Sequence, residues 1–303
     1  MTLVNKLTAI GDAIREKTGG TAELTLDQMV TEISGITGGG EVDTTLEDAF
    51  VAGTTSSSTL TTYTNDRVTA VRYGTFAEIN SLKTVDLPNV TSIEDYAFYN
   101  CLGLNNLNAP NTTTIGARAF SGAHLSELNF PIVTKLGNYC FFGMYNDYTT
   151  VDLPKLTSTG DNTFGNNTSL VTVNLPEATS LGSFLFEACS SLKNVNIPKV
   201  TLVHNQAFRE CSALETIEFP SLTELTGWGQ MFYGCSSLTT VVIRNTTKVA
   251  LLNMGNAFSG TKIASGTGYI YVPDELVDSY KVATNWVTYA NQIKPLSEYV
   301  EVS

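Results

Sequence analysis

The chain has 303 residues, with 17 Lys and Arg against 29 Asp and Glu, a formal net charge of -12. Only 15% of positions are charged, below the roughly 25% of an ordinary soluble domain, while the apolar share of 42% is near normal. Small polar residues fill the deficit, 43 Thr and 24 Gly among them, so the chain is not of disordered composition. The acidic balance excludes nucleic acid and anionic lipid as partners, which need basic patches. No run approaches the ~18 apolar residues of a membrane span, so no membrane insertion is expected.

Polar residues interrupt the first positions, Met1-Thr2-Leu3-Val4-Asn5-Lys6-Leu7, which therefore lack the apolar core of a secretory signal. A protein without such a signal reaches the outside of a cell by another route, cell lysis among them. Leu3, Leu7, Ile10 and Ile14 then make a helical stripe. Thr25 and Gln28 form a capping box for a second helix, whose apolar face is Met29, Val30, Ile33 and Ile36. This helical hairpin, residues 1–38, is too small to fold alone and is expected to oligomerise or dock. Residues 39–57, opening on Gly39-Gly40, read as a linker.

From residue 58 a repeat takes over. Seven of the nine prolines, Pro88, Pro110, Pro131, Pro154, Pro176, Pro198 and Pro220, follow one another at intervals of 21 to 23 residues. A Phe stands twelve residues before most of them, at Phe76, Phe98, Phe164, Phe186 and Phe208, with Phe120 and Phe141 shifted by one. Just before each proline, apolar and polar residues alternate, as in Leu82, Val85 and Leu87, the period of a half-buried strand that the proline ends. A unit of about 22 residues with one short strand cannot bury its apolar face alone, but stacked copies share a continuous core. The predicted fold is a β-rich solenoid over residues 58–265. Residues 266–303 are expected to close it as a cap, with a strand at Tyr269-Ile270-Tyr271-Val272 and a helix opening at Pro273-Asp274-Glu275.

The unit Leu-Pro-x-x-x-x-x-Ile-x-x-x-Ala-Phe-x-x-Cys-x-x-Leu resembles the BspA-type (Treponema-like) leucine-rich repeat. That resemblance implies a leucine-rich repeat solenoid and attachment to host or matrix components. The segment Ala9-Ile10-Gly11-Asp12-Ala13-Ile14-Arg15-Glu16-Lys17-Thr18-Gly19, with Leu24-Thr25-Leu26-Asp27-Gln28-Met29, is similar to N-terminal segments of tail-associated proteins from phages of Gram-positive bacteria. It implies a virion (phage tail) location with docking through residues 1–38; the alternative is a bacterial cell-surface or extracellular adhesin.

The chemistry-bearing residues favour binding over catalysis. Cys101, Cys189, Cys211 and Cys235 share one repeat phase and are expected as a column of buried free thiols. The two histidines, His124 and His204, fall in different phases, and neither phosphate-binding glycine motif occurs, so no catalytic residue, metal or cofactor is assigned. The outward strand positions carry the candidate ligand face: Asp86, Asn106, Asn108, Glu127, Asn129, Thr150, Asp152, Thr172, Asn174, Asn194 and Asn196. Such a ladder suits sugar hydroxyls or peptide groups, and it equally suits water. Tyr145 and Trp228 stand where the repeat lengthens; each reads either as a contact aromatic or as a plug in a widened core. The expected function is a non-enzymatic binding module, likened to a receptor-binding or tail-fibre protein, that recognises a bacterial surface glycan or protein, as a homo-oligomer.

Overall fold

The structure, a computed structural model, describes residues 60–144, 148–226, 229–251 and 256–301. The predicted hairpin (1–38), the linker (39–57) and both lengthened-turn aromatics, Tyr145 and Trp228, lie outside them.

The described chain winds as a solenoid, and each coil has three sides. The first side is built of three- and four-residue strands in parallel register, Thr84–Asp86 against Asn106–Asn108 for example, with Val85 opposite Leu107. The second consists of two-residue strands such as Ser92–Ile93 and Thr114–Ile115. The third is a turn run holding the repeat Phe. Sequence periodicity predicts one strand per unit, and the structure contains two. The second is too short for an alternating pattern to reveal, because two residues carry only one inward side chain.

The two strand sides differ in continuity. The short strands join into one nine-stranded sheet from Ala70–Val71 to Ala250–Leu251. The longer strands fall into three separate sheets, of three, three and four strands. One interruption lies at residues 126–130, where the sequence predicts a strand and the structure has none. The spacing supplies the reason: Phe120 to Pro131 is one residue shorter than the corresponding stretch of other coils, so the chain reaches its corner without matching register. Inside and outside are nonetheless kept, with Leu128 and Phe130 buried and Glu127 and Asn129 exposed.

A column of nine phenylalanines fills the centre. Phe76, Phe98, Phe120, Phe141, Phe164, Phe186, Phe208, Phe232 and Phe258 stack with ring centroids 4.9 to 5.7 Å apart and planes within 27° of parallel. Each is essentially fully buried. The coil spacing sets these distances, and an offset stack adds to the burial term. Backbone bonds between coils run past the column on the turn side too, as from Phe76 N to Ala97 O (2.8 Å) and Phe98 N to Ala119 O (2.7 Å).

Two side-chain ladders add donors to backbone carbonyls, most of which already accept a backbone N–H. Thr91, Thr113, Thr134, Thr157, Thr179, Thr201 and Thr223 each donate a hydroxyl to the carbonyl of the matching Thr one coil earlier, at 2.9 to 3.5 Å. This column accounts for part of the threonine excess. Inside, the thiols of Cys101, Cys189, Cys211 and Cys235 donate to the carbonyls of Phe76, Phe164, Phe186 and Phe208 at 2.9 to 3.1 Å. All five cysteines are free and buried. Burial pushes the Cys101 and Cys189 thiols up to about 12 and the Cys140 and Cys211 thiols well above their ordinary value, so they remain thiols and inert.

Asn167 occupies the cysteine position of the coil whose predecessor carries one extra residue. Its amide donates to Phe141 O (2.9 Å) and the Tyr148 hydroxyl (2.7 Å), and its carbonyl accepts from Met144 N (2.8 Å). It is 1% exposed. An Asn167→Leu variant keeps the volume and takes the side-chain partner from two buried backbone groups, the Phe141 carbonyl and the Met144 N–H, at about 1–3 kcal/mol each. The urea midpoint is expected to fall accordingly, with Asn167→Cys recovering only the bond to Phe141. Equal stability of Asn167→Leu and the parent would remove this role.

The last coils end in a cap. The strand Tyr269–Val272 joins the third sheet, and the chain continues as a short 3-10 turn (Asp274–Leu276), one helical turn (Val277–Lys281), a kinked 3-10 stretch (Trp286–Gln292) and a final strand (Ile293–Pro295). The predicted helix thus opens as a 3-10 turn and continues as a single α-helical turn. Tyr289 meets Phe258 edge-on at 5.0 Å, ending the column. Trp286 donates its indole N–H to Val249 O (3.1 Å), and the Tyr280 hydroxyl accepts from Val249 N (2.8 Å). Burial raises the Tyr280 hydroxyl to about 12, so it stays protonated. Among the described residues no helix is long and apolar enough to cross a membrane.

Candidate binding surface

The predicted ligand residues lie on the outer side of the longer strands, in two columns set by the strand period of two. One column holds Thr84, Asn106, Thr150, Thr172 and Asn194; the other holds Asp86, Asn108, Asp152, Asn174 and Asn196. The register places these residues side by side within each sheet, and all are exposed or half-buried. The interruption at 126–130 separates Asp86 and Asn108 from Asp152, Asn174 and Asn196. Glu127 and Asn129 sit in that break, outside any sheet.

The side chains are not simply open to solvent. Asn108 donates to Asp86 Oδ1, Asn174 to Asp152 Oδ1 and Asn196 to Asn174 Oδ1, each at 2.7 Å. In the neighbouring column Asn194 donates to Thr172 Oγ1 at 3.3 Å. The first sheet therefore carries a carboxylate followed by one asparagine and the second a carboxylate followed by two, each amide donating to the coil before it. An asparagine has two N–H donors and a two-lone-pair acceptor, so a ladder that uses one donor and one acceptor leaves capacity for a ligand. The same bonds hold neighbouring strands together, a structural role that strand alternation alone does not reveal.

The third sheet departs from this pattern. Its outward positions are Glu218, Val242 and Tyr271, and Val242 is fully buried. Glu218 accepts from Arg244 Nη2 (3.1 Å) and from the Tyr299 hydroxyl (3.0 Å), while Arg244 also bonds Glu301 (2.9 Å). Tyr299 lies against Tyr271, ring centroids 5.1 Å apart. The C-terminal segment thus ties itself to this end of the surface. Burial first, and the Glu218 carboxylate next, push the Tyr299 hydroxyl up to about 12. Arg244 occupies the place of the repeat proline, and its charge is used here.

Groups suited to other chemistry do not converge. His204 Nδ1 lies 3.1 Å from Thr226 Oγ1, and His124 is exposed on a different coil. Among the described residues no three His, Cys, Asp or Glu side chains group as metal ligands would.

Comparison with known proteins follows the same lines. The sequence matches the family described as BspA type leucine rich repeat region, in six copies, over residues 44–146, 69–179 and 134–264. These matches begin at residue 44, so the tail-protein resemblance of residues 9–29 has no counterpart in them. A leucine-rich repeat protein from Bacteroides ovatus ATCC 8483 is 25% identical with a TM-score of 0.61, the match covering 75% of this chain and 57% of that one. The chain therefore spans little more than half the length of that relative. A leucine rich cell surface protein from Faecalibacterium prausnitzii A2-165 is 16% identical with a TM-score of 0.32, covering 76% of this chain and 90% of that one. The pneumococcal vaccine antigen PcpA is 14% identical with a TM-score of 0.31, covering 78% and 88%. No curated protein matches the sequence. With the family match extending over well more than half of its length and the coils in the register described, the chain belongs to the BspA-type leucine-rich repeat family.

Proposed function

We propose that the chain is a non-enzymatic binding module that presents the Asp/Asn/Thr columns of its first two sheets to a macromolecule at a bacterial surface or in its surroundings. The observation that carries this reading is the hydrogen-bonded array itself. Side-chain amides and hydroxyls repeat once per coil on a backbone fixed by parallel ladders, so little conformational freedom is lost when a ligand binds. The family resemblance, with its implication of attachment to host or matrix components, favours an adhesin located at the cell surface or outside the cell. A second reading rests on the sequence of residues 9–29: a virion component that docks through residues 1–38 and recognises a bacterial surface glycan or protein.

The two readings separate in one experiment. A source culture is fractionated on a density gradient that resolves phage particles from bacterial envelope, and each fraction is immunoblotted. Signal in the envelope or medium is the expected result; signal banding with particles would replace the adhesin by the tail protein.

A further inference from the structure

We propose that the outer face of the third sheet is a docking seat for a partner peptide that carries a tyrosine and, two residues on, a carboxylate. Residues Tyr299-Val300-Glu301 occupy this seat in cis as a strap, which the partner peptide displaces. The seat adjoins the Asp/Asn columns and does not depend on their binding a ligand.

The last coils break the outward pattern. Where the first two sheets carry Asp or Asn, successive strands of the third carry Glu218, Val242 and Tyr271, followed by Lys294. Val241 and Ile243 face the core, so Val242 between them faces out, and it is nonetheless 0% exposed. An outward side chain on a sheet is buried only where another segment covers it. Arg244 stands in the place of the repeat proline and adds a cation at the edge of the same patch.

The covering residue is Tyr299. Its hydroxyl donates to Glu218 Oε1 (3.0 Å), and its ring lies 5.1 Å from that of Tyr271. The register places Val242 between Glu218 and Tyr271, so the tyrosine that touches both spans it. Arg244 donates to Glu218 Oε2 through Nε (3.2 Å) and Nη2 (3.1 Å) and to Glu301 Oε1 (2.9 Å), with its guanidinium 5.8 Å from the Tyr299 centroid. The seat therefore selects three features: a hydroxyl donor for Glu218, a flat ring for Val242 and Tyr271, and a carboxylate for Arg244.

Closing the solenoid does not require the strap. Tyr289 ends the phenylalanine column, and the strand Ile293–Pro295 completes the third sheet before the chain reaches Tyr299. Among the described residues no backbone hydrogen bond joins 299–301 to the sheet, and Val300 is 80% exposed. Side chains alone hold the strap down, beyond a 3-10 turn (Leu296–Glu298) that the Ser297 N–H anchors to Asp274 at 3.0 Å. A segment with so few bonds lifts without unfolding the coils beneath it. A peptide of the same pattern makes the same contacts from solution, opposed by the high effective concentration of the tethered segment.

The test is fluorescence anisotropy of an N-terminally labelled, C-terminally amidated peptide, Leu-Ser-Glu-Tyr-Val-Glu, titrated with the full chain. A strap-weakened chain, Tyr299→Ala with Glu301→Ala, is expected to bind it saturably and about tenfold or more tighter than the parent, whose own strap competes. Val242→Asp in the strap-weakened chain should abolish binding, and the peptide with alanine in place of tyrosine should not bind. Circular dichroism melting checks the fold of each variant. Arg244→Ala in the strap-weakened chain is a second variant, expected to weaken binding about tenfold, should Val242→Asp melt early. No saturable binding by the strap-weakened chain, equal binding by the parent, or binding that survives loss of the peptide's tyrosine overturns the proposal. None of these substitutions touches the Asp/Asn columns, so failure here leaves their reading in place.

Discussion

Replacing Phe164 by Ala is expected to destabilise the protein by about 3–5 kcal/mol, the cost of deleting a large aromatic from a closed core. Phe164 is fully buried and stacks on Phe141 and Phe186 at 5.7 Å on either side. Its backbone carbonyl accepts the Cys189 thiol, a bond that Phe164→Ala leaves in place, so the loss expected is that of the ring alone. Neighbouring rings cannot close the gap, because ladders on both strand sides and backbone bonds on the turn side fix the coil spacing. Equilibrium urea unfolding monitored by circular dichroism measures the loss. Phe164→Leu should lose a smaller part of it. A change below about 1 kcal/mol for Phe164→Ala would show that the coils are held by their backbone ladders rather than by the column.

The second large effect is expected at the opposite kind of position, the end of the stack. Trp286→Ala removes a buried indole, costing about 3–5 kcal/mol by truncation. It also leaves Val249 O without its donor, which costs about 1–3 kcal/mol more if the site stays dry. Repeat arrays are stabilised by nearest-neighbour contacts, so the damage should stay local and open the solenoid from its C-terminal end. Hydrogen exchange is the discriminating measurement. The amides of Phe232 and Phe258, bonded to Ala257 O and the Tyr289 hydroxyl, should lose protection. Those of Phe98 and Phe120, bonded to Ala119 O and Cys140 O, should keep theirs. A uniform loss of protection would mean that the coils unfold as a single cooperative unit.

The repeat was legible in the sequence because three constraints recur with one period. The proline ends a strand, the Phe fills the centre, and the small or thiol-bearing residue three positions later faces inward. Seven prolines at intervals of 21 to 23 residues are enough to establish a solenoid. The same spacing exposes the irregular coils: the 21-residue interval marks the missing strand at 126–130, and the 23-residue interval marks the coil that Asn167 stabilises. The outward positions of the Asp/Asn columns also follow from alternation, since a strand period of two decides which residues face out.

What alternation does not decide is what outward residues do to one another. The bonds Asn108 to Asp86 and Asn196 to Asn174 depend on which coil lies beside which and on the amide orientation, and both are tertiary facts. The segmentation of the longer-strand side into three sheets, beside an unbroken short-strand sheet, is likewise a matter of register between coils. The two-residue strands are invisible in sequence because they are defined by their partners rather than by a pattern of their own. Left-handed backbone under Tyr96, Tyr139 and Phe184 is hidden for the opposite reason: sequence reading assigns such positions to Gly or Asn, and here large aromatics occupy them. The sequence by itself determined the coil, its period and its buried column, because burial is a property of single residues repeated in phase. The tertiary structure alone decided which polar groups are already paired and which aromatics line the turn side, because those properties belong to neighbours brought together from different coils.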